Sequence, residues 1–481
     1  MEPLVANNPD ALPQLIGDFK PVDLWQAHIG ELFYALRGHR VRQYFQTFAA
    51  ADFRLAHALA TDYYERAVRR EKARGKGSGG QGAAPPSLVV HEWGCGNGNL
   101  AACFLTHLKA LDREGSIYPR IRYVLVDRQQ SMLDEALAHP DLLLHRDQVE
   151  TLQADVGNLA GVANGSVDLI LCNELWNELP TKLMLRKGGE IEEEHLRPNV
   201  SETVHAGIAD WPQFVRAFEN KQTDVLAAYP DFLADIIWEK EYHPAEWKDV
   251  AFRKTITEHL KGLDEHVLVP VNVGAHATLK EAKRVLAADA AGFSSFDAGT
   301  ADRHVLNDPE KPCYGLFGGQ YSFMVNFALV QAVGRYLGIA SIQVEPQREF
   351  VGRSLGVNVM GLMDLLATFP GAGRLAAWEQ DRLILQTIQA LNQTYRSPYK
   401  RRIEFPLQAG ASVQERQALE AIRAGLQEGG IPDTIAYLSE DEIVAARANL
   451  DQLGYEMDTV MQAFGVQPQP VDYYRLSWAA G

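Results

Sequence analysis

Residues 87–93, Ser-Leu-Val-Val-His-Glu-Trp, run straight into Gly94-Cys95-Gly96-Asn97-Gly98 and then into a helix-forming stretch, NLAACFLTHLKALDREG. A short apolar strand, three glycines in five positions and a helix constrain this chain more than any other feature. Glycines at such a turn let the backbone reverse sharply and approach a ligand closely, because no Cβ intervenes. Two more buried-strand candidates follow, YVLVD (123–127) and VDLILC (167–172), with the helical SMLDEALAHP between them. Strands alternating with helices predict an α/β fold built on a doubly wound, Rossmann-like parallel sheet.

Regions of different character surround that core. Residues 1–75 are rich in helix formers, with apolar residues at three- and four-residue spacing in LWQAHIGELFYAL and ADFRLAHALATDYYERAV, and predict an N-terminal helical segment. A basic run passing into Gly, Ser and Pro makes 76–86 a linker. The core is expected in two parts, 87–200 and 263–365, separated by a helical, aromatic insertion at 201–262 on the acceptor side. Residues 366–481 read as a helical C-terminal region. HVLVPVNVG (266–274), SFMVNF (321–326) and IASIQV (339–344) carry the strand character of the second part.

Charge and cysteine usage narrow the function classes. With 62 Asp and Glu against 46 Lys and Arg, the chain carries a formal charge of -16, which disfavours gripping nucleic acid or anionic lipid. No stretch approaches the roughly 18 uncharged apolar residues of a membrane span. No arginine precedes Arg37, so neither a secretory signal nor a transit peptide is readable. Four scattered cysteines, Cys95, Cys103, Cys172 and Cys313, give no disulfide framework and no Cys-x-x-Cys pair, and the histidines form no ligand pattern. A cytoplasmic protein without a metal is expected.

The glycine loop discriminates between cofactors. A dinucleotide fingerprint requires Gly-x-Gly-x-x-Gly, and Asn99 stands where its last glycine belongs. Glu92, two residues before Gly94, would repel a pyrophosphate but suits the ammonium and sulfonium of S-adenosylmethionine. Asp127, closing the next strand, can accept both ribose hydroxyls of either cofactor class. Asp155 is placed to accept from an adenine amino group. Glu92, Gly94, Cys95, Gly96, Gly98, Asp127, Asp155 and Asn173 are therefore the expected S-adenosylmethionine-binding residues. Each also has a plain alternative: a salt bridge for Glu92, a helix cap for Asp127, a turn for Asp155.

Residues 168–194, DLILCNELWNELPTKLMLRKGGEIEEE, resemble the strand-four segment of the MidA-like methyltransferases, a family that includes the mitochondrial complex I assembly-factor arginine methyltransferase. Asn173, Glu174, Leu175, Trp176, Leu179 and Pro180 fit its Asn-Glu, two apolar, Asp-Ala-Leu-Pro pattern, and a charged hairpin follows. HVLVPVNVGAH is similar to the family's fifth strand, Gly299-Thr300 to a Gly-Thr pair, and Phe327, Gln347, Phe350, Leu355 and Gly356 to its later series. The resemblance implies a class I methyltransferase fold, S-adenosylmethionine as cofactor and methyl transfer to nitrogen. Where the family has carboxylates, this chain has Asn177, Asn272 and Asn326, and Met324 replaces a histidine.

Asn173 and Glu174 leave the carboxyl end of a sheet strand, where open α/β sheets bind ligands. Glu174 is expected to hold a cationic acceptor or receive its proton, with Asn173 orienting it; a local turn and cap is the alternative. Trp176, Asn177, Asn272 and Asn326 are the substrate-side candidates, with core and turn roles as alternatives. Cys95 and Cys172 read as small packing residues. The expected partner is a methyl acceptor, a protein or a small molecule, and the chain is open to homodimerisation. A non-catalytic assembly protein that keeps the cofactor fold is the competing class, and an NAD-dependent oxidoreductase the third.

Overall fold

The computed structural model describes residues 14–38, 41, 52–75, 86–399, 412–426, 437–465 and 471–479. Its chain forms two units, one made of Met1–Tyr44, Trp176–Leu279 and Ala298–Gly338, the other of Phe45–Leu175, Lys280–Asp297 and Ile339–Gly481. The second unit carries the glycine loop.

Among the described residues, seven strands form the main path of this unit's eight-stranded sheet: β1 (Leu88–Trp93), β2 (Ile121–Asp127), β3 (Val149–Gln153), β4 (Leu169–Asn173), β5 (Gly292–Thr300), β6 (Gln343–Pro346) and β7 (Asp472–Trp478). Their spatial order is β3-β2-β1-β4-β5-β7-β6. The pairs β3–β2, β2–β1, β1–β4 and β4–β5 are parallel, whereas β6 and β7 are antiparallel. Every residue of β4 and all but one of β1 are buried, which explains their unbroken apolar character. A dinucleotide-binding sheet ends 4-5-6, from a second mononucleotide-binding half. Here β7 stands between β5 and β6, so the order departs from that of a dinucleotide-binding sheet.

Helices cover this sheet. In α1 (Arg54–Gly75), Leu55, Leu59, Tyr63 and Ala67 recur at four-residue spacing and are buried in the main core cluster. In α2 (Asn99–Leu111), Leu100, Phe104 and Leu108 do the same. Tyr63 and Phe104 meet with ring centroids 5.9 Å apart.

The other unit is built on an antiparallel sheet. Its hairpin, Lys182–Lys187 and Glu190–Val200, turns at Gly188-Gly189, whose φ values of 57° and 85° suit the tight two-residue turn that matches strand twist. Ile236–Pro244 pairs along the other side of Glu190–Val200.

Several expectations change. The described residues of the segment 1–75 do not form one body, since 14–38 and 41 belong to one unit and 52–75 to the other. The linker expected at 76–86 lies, except for residue 86, outside the described residues. The region 201–262 has helices, including Trp211–Glu219 and Arg253–Lys261, but also the nine-residue strand Ile236–Pro244. HVLVPVNVG is not a core strand: Val269–Val271 pairs with Lys182–Met184 in the antiparallel sheet, and a helix begins at Val273. The fifth strand is GFSSFDAGT, β5. The C-terminal region contributes β7 to the main sheet as well as helices. Among the described residues no helix is long and apolar enough to cross a membrane.

Candidate cofactor site

The loop after β1 takes its shape from its glycines. Gly94, Gly96 and Gly98 have φ of 73°, 50° and 78°, values that favour glycine over every other residue. Each does something different. A Cβ on Gly94 would stand 3.0 Å from Leu175 Cδ1, so this glycine admits the segment leaving β4. A Cβ on Gly98 would stand 2.8 Å from the carbonyl oxygen of Ala136, so this one lets α2 approach the helix Gln130–Leu137 (α3). A Cβ on Gly96 would meet nothing within 4 Å among the described residues. Gly96 thus faces open space, the property a ligand cradle needs. The loop is held by Gly94 N donating to Val126 O at 2.8 Å and by Asn97 Oδ1 accepting from Asn99 N at 3.0 Å.

Glu92 lies beneath this loop and is only 3% exposed. It accepts a 2.8 Å hydrogen bond from the Tyr123 hydroxyl, and burial pushes its carboxyl up to about 8. Among the described residues it forms no salt bridge. Near neutral pH Glu92 is therefore mostly protonated and, contrary to the expectation from sequence, repels no phosphate. A cationic ligand group would draw the proton off, and an anionic one would not. Tyr123, the partner of Glu92, has no signature that singles it out in the sequence.

Asp127 closes β2, with its carboxyl held above the usual range mainly by burial. Its Oδ1 accepts from Gln129 N at 2.8 Å, so it also caps the turn into α3. Asp155 is exposed, and its Oδ1 accepts from Gly157 N at 2.7 Å, closing its own turn. Cys95 and Cys172 are buried, and burial raises both thiols well above their ordinary value, which suits packing rather than nucleophilic chemistry.

At the end of β4, Asn173 is buried and its Oδ1 has no hydrogen-bond partner among the described residues. Glu174 adopts φ 48°, the left-handed region that a non-glycine residue occupies at a cost of order 1 kcal/mol. Its backbone N–H donates to Phe296 O on β5 at 2.6 Å, which fixes that conformation. Glu92, the glycine loop, Asp127, Asn173 and Glu174 therefore all occupy the carboxyl edge of adjacent parallel strands, in the order β2-β1-β4.

The four substrate-side candidates belong to the other unit, and three have internal roles. Trp176 is fully buried and donates through Nε1 to Thr278 Oγ1 at 2.8 Å. Asn272 Nδ2 donates to Thr181 Oγ1 and to the Met324 carbonyl, and its Oδ1 accepts from Asn326 N. Asn326 Nδ2 donates to the Pro270 carbonyl and meets His259 Nε2, while its Oδ1 caps the helix Phe327–Tyr336 at Leu329 N. A carboxylate could not donate to those carbonyls, so the amides are what this network needs. The buried, committed side chains replace the pocket-lining role expected for Trp176, Asn272 and Asn326. Asn177, also buried, donates to Ser322 Oγ at 3.2 Å. Among the described residues no group of three His, Cys, Asp or Glu could hold a metal ion.

No family model and no curated protein sequence matches the chain. Among solved structures the chain is similar to a COG1565 superfamily member from Burkholderia thailandensis bound to S-adenosyl-homocysteine, at 12% identity and a TM-score of 0.47, with 96% of this chain and 88% of that one covered. It is similar to a further COG1565 superfamily protein from Burkholderia thailandensis at 13% identity and a TM-score of 0.40, covering 96% and 94%. It is also similar to loganic acid methyltransferase with S-adenosyl-homocysteine, at 8% identity and a TM-score of 0.30, covering 89% and 94%.

Proposed function

We propose that the chain is an S-adenosylmethionine-dependent methyltransferase of MidA-like type, acting on a nitrogen or other heteroatom of a protein side chain or small molecule. The observation that carries this reading is the left-handed Gly96, whose Cβ position meets nothing within 4 Å among the described residues, on the same sheet edge as the buried carboxyl of Glu92 and the acid Asp127. The Oδ1 of Asn173, which has no hydrogen-bond partner among the described residues, adds a buried acceptor at the same edge. These residues fit the cofactor: Gly96 would leave room for its chain, Glu92 would stabilise its ammonium, Asp127 would hold its ribose hydroxyls, and Asn173 would accept a hydrogen bond from it. Asp155 would accept from the adenine amino group.

The cofactor supplies an electrophilic methyl group on a sulfonium. The chain supplies alignment, since an in-line displacement is accelerated mainly by holding its partners in register. Glu174 holds a cationic acceptor or takes the proton that the acceptor nitrogen gives up, and Asn173 orients it. The alternative, a non-catalytic interaction protein, would bind the cofactor without turnover.

Titration calorimetry with S-adenosyl-homocysteine tests the reading, and saturable binding to folded protein is the expected result. No binding would overturn it. Asp127→Asn should weaken that binding about ten- to a hundredfold, the worth of hydrogen bonds to a charged group, with circular dichroism unchanged. Unchanged affinity would move the ribose away from Asp127.

A further inference from the structure

The long C-terminal region sends one side chain to this edge. Tyr473 is the second residue of β7, a strand separated from β4 in the sheet only by β5. Its hydroxyl donates to Glu174 Oε2 at 3.5 Å, while Asn173 Nδ2 donates to Oε1 at 3.4 Å. The Glu174 carboxylate is thus flanked by two donors on opposite oxygens, above a backbone held in a strained conformation. Both separations are at the long end of hydrogen bonding, a geometry that tightens in catalytic sites when ligand binds.

A purely structural clip between β7 and the sheet would explain the contact equally well were β7 otherwise loose. It is not. β7 pairs with β6 from Tyr474 to Ser477, and the buried Arg475 reaches Ser294 on β5, Glu345 on β6 and Asp62 on α1. The strand has its anchors without Tyr473.

We propose that Tyr473 is a positioning residue that acts through Glu174, fixing that carboxylate on the acceptor side of the transferred methyl. The proposal rests on the methyltransferase reading above and deepens it, placing the last strand of the chain in acceptor handling.

Sinefungin tests it without knowledge of the acceptor. This cofactor analogue carries an amine where the sulfonium methyl would be, so it projects a cation toward the acceptor side, whereas S-adenosyl-homocysteine projects nothing. Calorimetry at pH 7 should show wild-type protein preferring sinefungin. Glu174→Gln should abolish the preference, and Tyr473→Phe should reduce it by about three- to tenfold, one indirect hydrogen bond's worth. Affinity for S-adenosyl-homocysteine and the Tm should stay unchanged in Tyr473→Phe. Tyr473→Phe with the preference intact, or with both affinities and the Tm lowered together, overturns the proposal in favour of a clip. Wild-type protein that binds S-adenosyl-homocysteine with no preference for sinefungin also overturns it, leaving the methyltransferase reading in place. Binding of neither ligand overturns both.

Discussion

Glu92→Gln should make the protein more stable at pH 8 and above while costing it cofactor affinity. The Glu92 carboxyl, fully enclosed, titrates at about 8 in the folded chain against an ordinary 4.5. An acid whose folded value is raised keeps its proton when folded and loses it when unfolded. Its contribution to stability therefore falls as pH rises from 4.5 and levels off above 8. The separation of the two values sets an upper limit on the order of 5 kcal/mol. Glutamine retains an acceptor for the Tyr123 hydroxyl and carries no such penalty. Thermal melts should show variant and wild type alike near pH 5 and diverging with pH, by roughly 5 °C or more at pH 8–9. The same chemistry has a ligand signature: binding a cationic cofactor to the wild type at pH 7 should release a proton, seen as a dependence of calorimetric enthalpy on buffer, and the variant should release none. Coincident melting curves across that pH range would mean that Glu92 is ionised and solvated.

The glycine loop allows a second large effect to be separated into two kinds. Gly98→Ala sets a Cβ 2.8 Å from a backbone oxygen at φ 78°, and neither the carbonyl nor the helix behind it can move cheaply. A loss of about 2–4 kcal/mol is expected, with the approach of α2 to α3 disturbed. Gly96→Ala meets nothing among the described residues, so its cost is the left-handed backbone alone, about 1 kcal/mol. Its Cβ instead projects into the space assigned to the ligand. Gly96→Ala should therefore fold and melt nearly as wild type while losing more than about tenfold in affinity for S-adenosyl-homocysteine. Denaturant unfolding and calorimetry on the two variants distinguish stability from binding. If Gly96→Ala binds normally, the cradle lies elsewhere.

The edge formed by β1, β2 and β4 was legible because its signals are local. Leu88–Trp93 and Leu169–Asn173 are buried on both faces, so their apolar runs announce them, and the glycines stand within one turn. β5 hid for the opposite reason. Its Ser294, Ser295 and Asp297 are buried polar groups satisfied by one another and by Arg475, nearly two hundred residues away. A hydropathy pattern reads those residues as a loop. The more apolar 266–274 took its place in the reading, although only Val269–Val271 forms a strand and it belongs to a different sheet.

Local chemistry in the chain therefore determined the strand–loop–helix at 88–111, the acids at 92 and 127, and the Asn-Glu pair ending β4, since turns, alternation and strand ends are decided by neighbouring residues. Tertiary structure alone decided that Glu92 is enclosed and prone to hold its proton, that Asn272 and Asn326 serve buried carbonyls, and that Tyr473 reaches Glu174. Burial and long-range hydrogen bonding depend on partners tens to hundreds of residues apart, and no short window of sequence contains both members of such a pair.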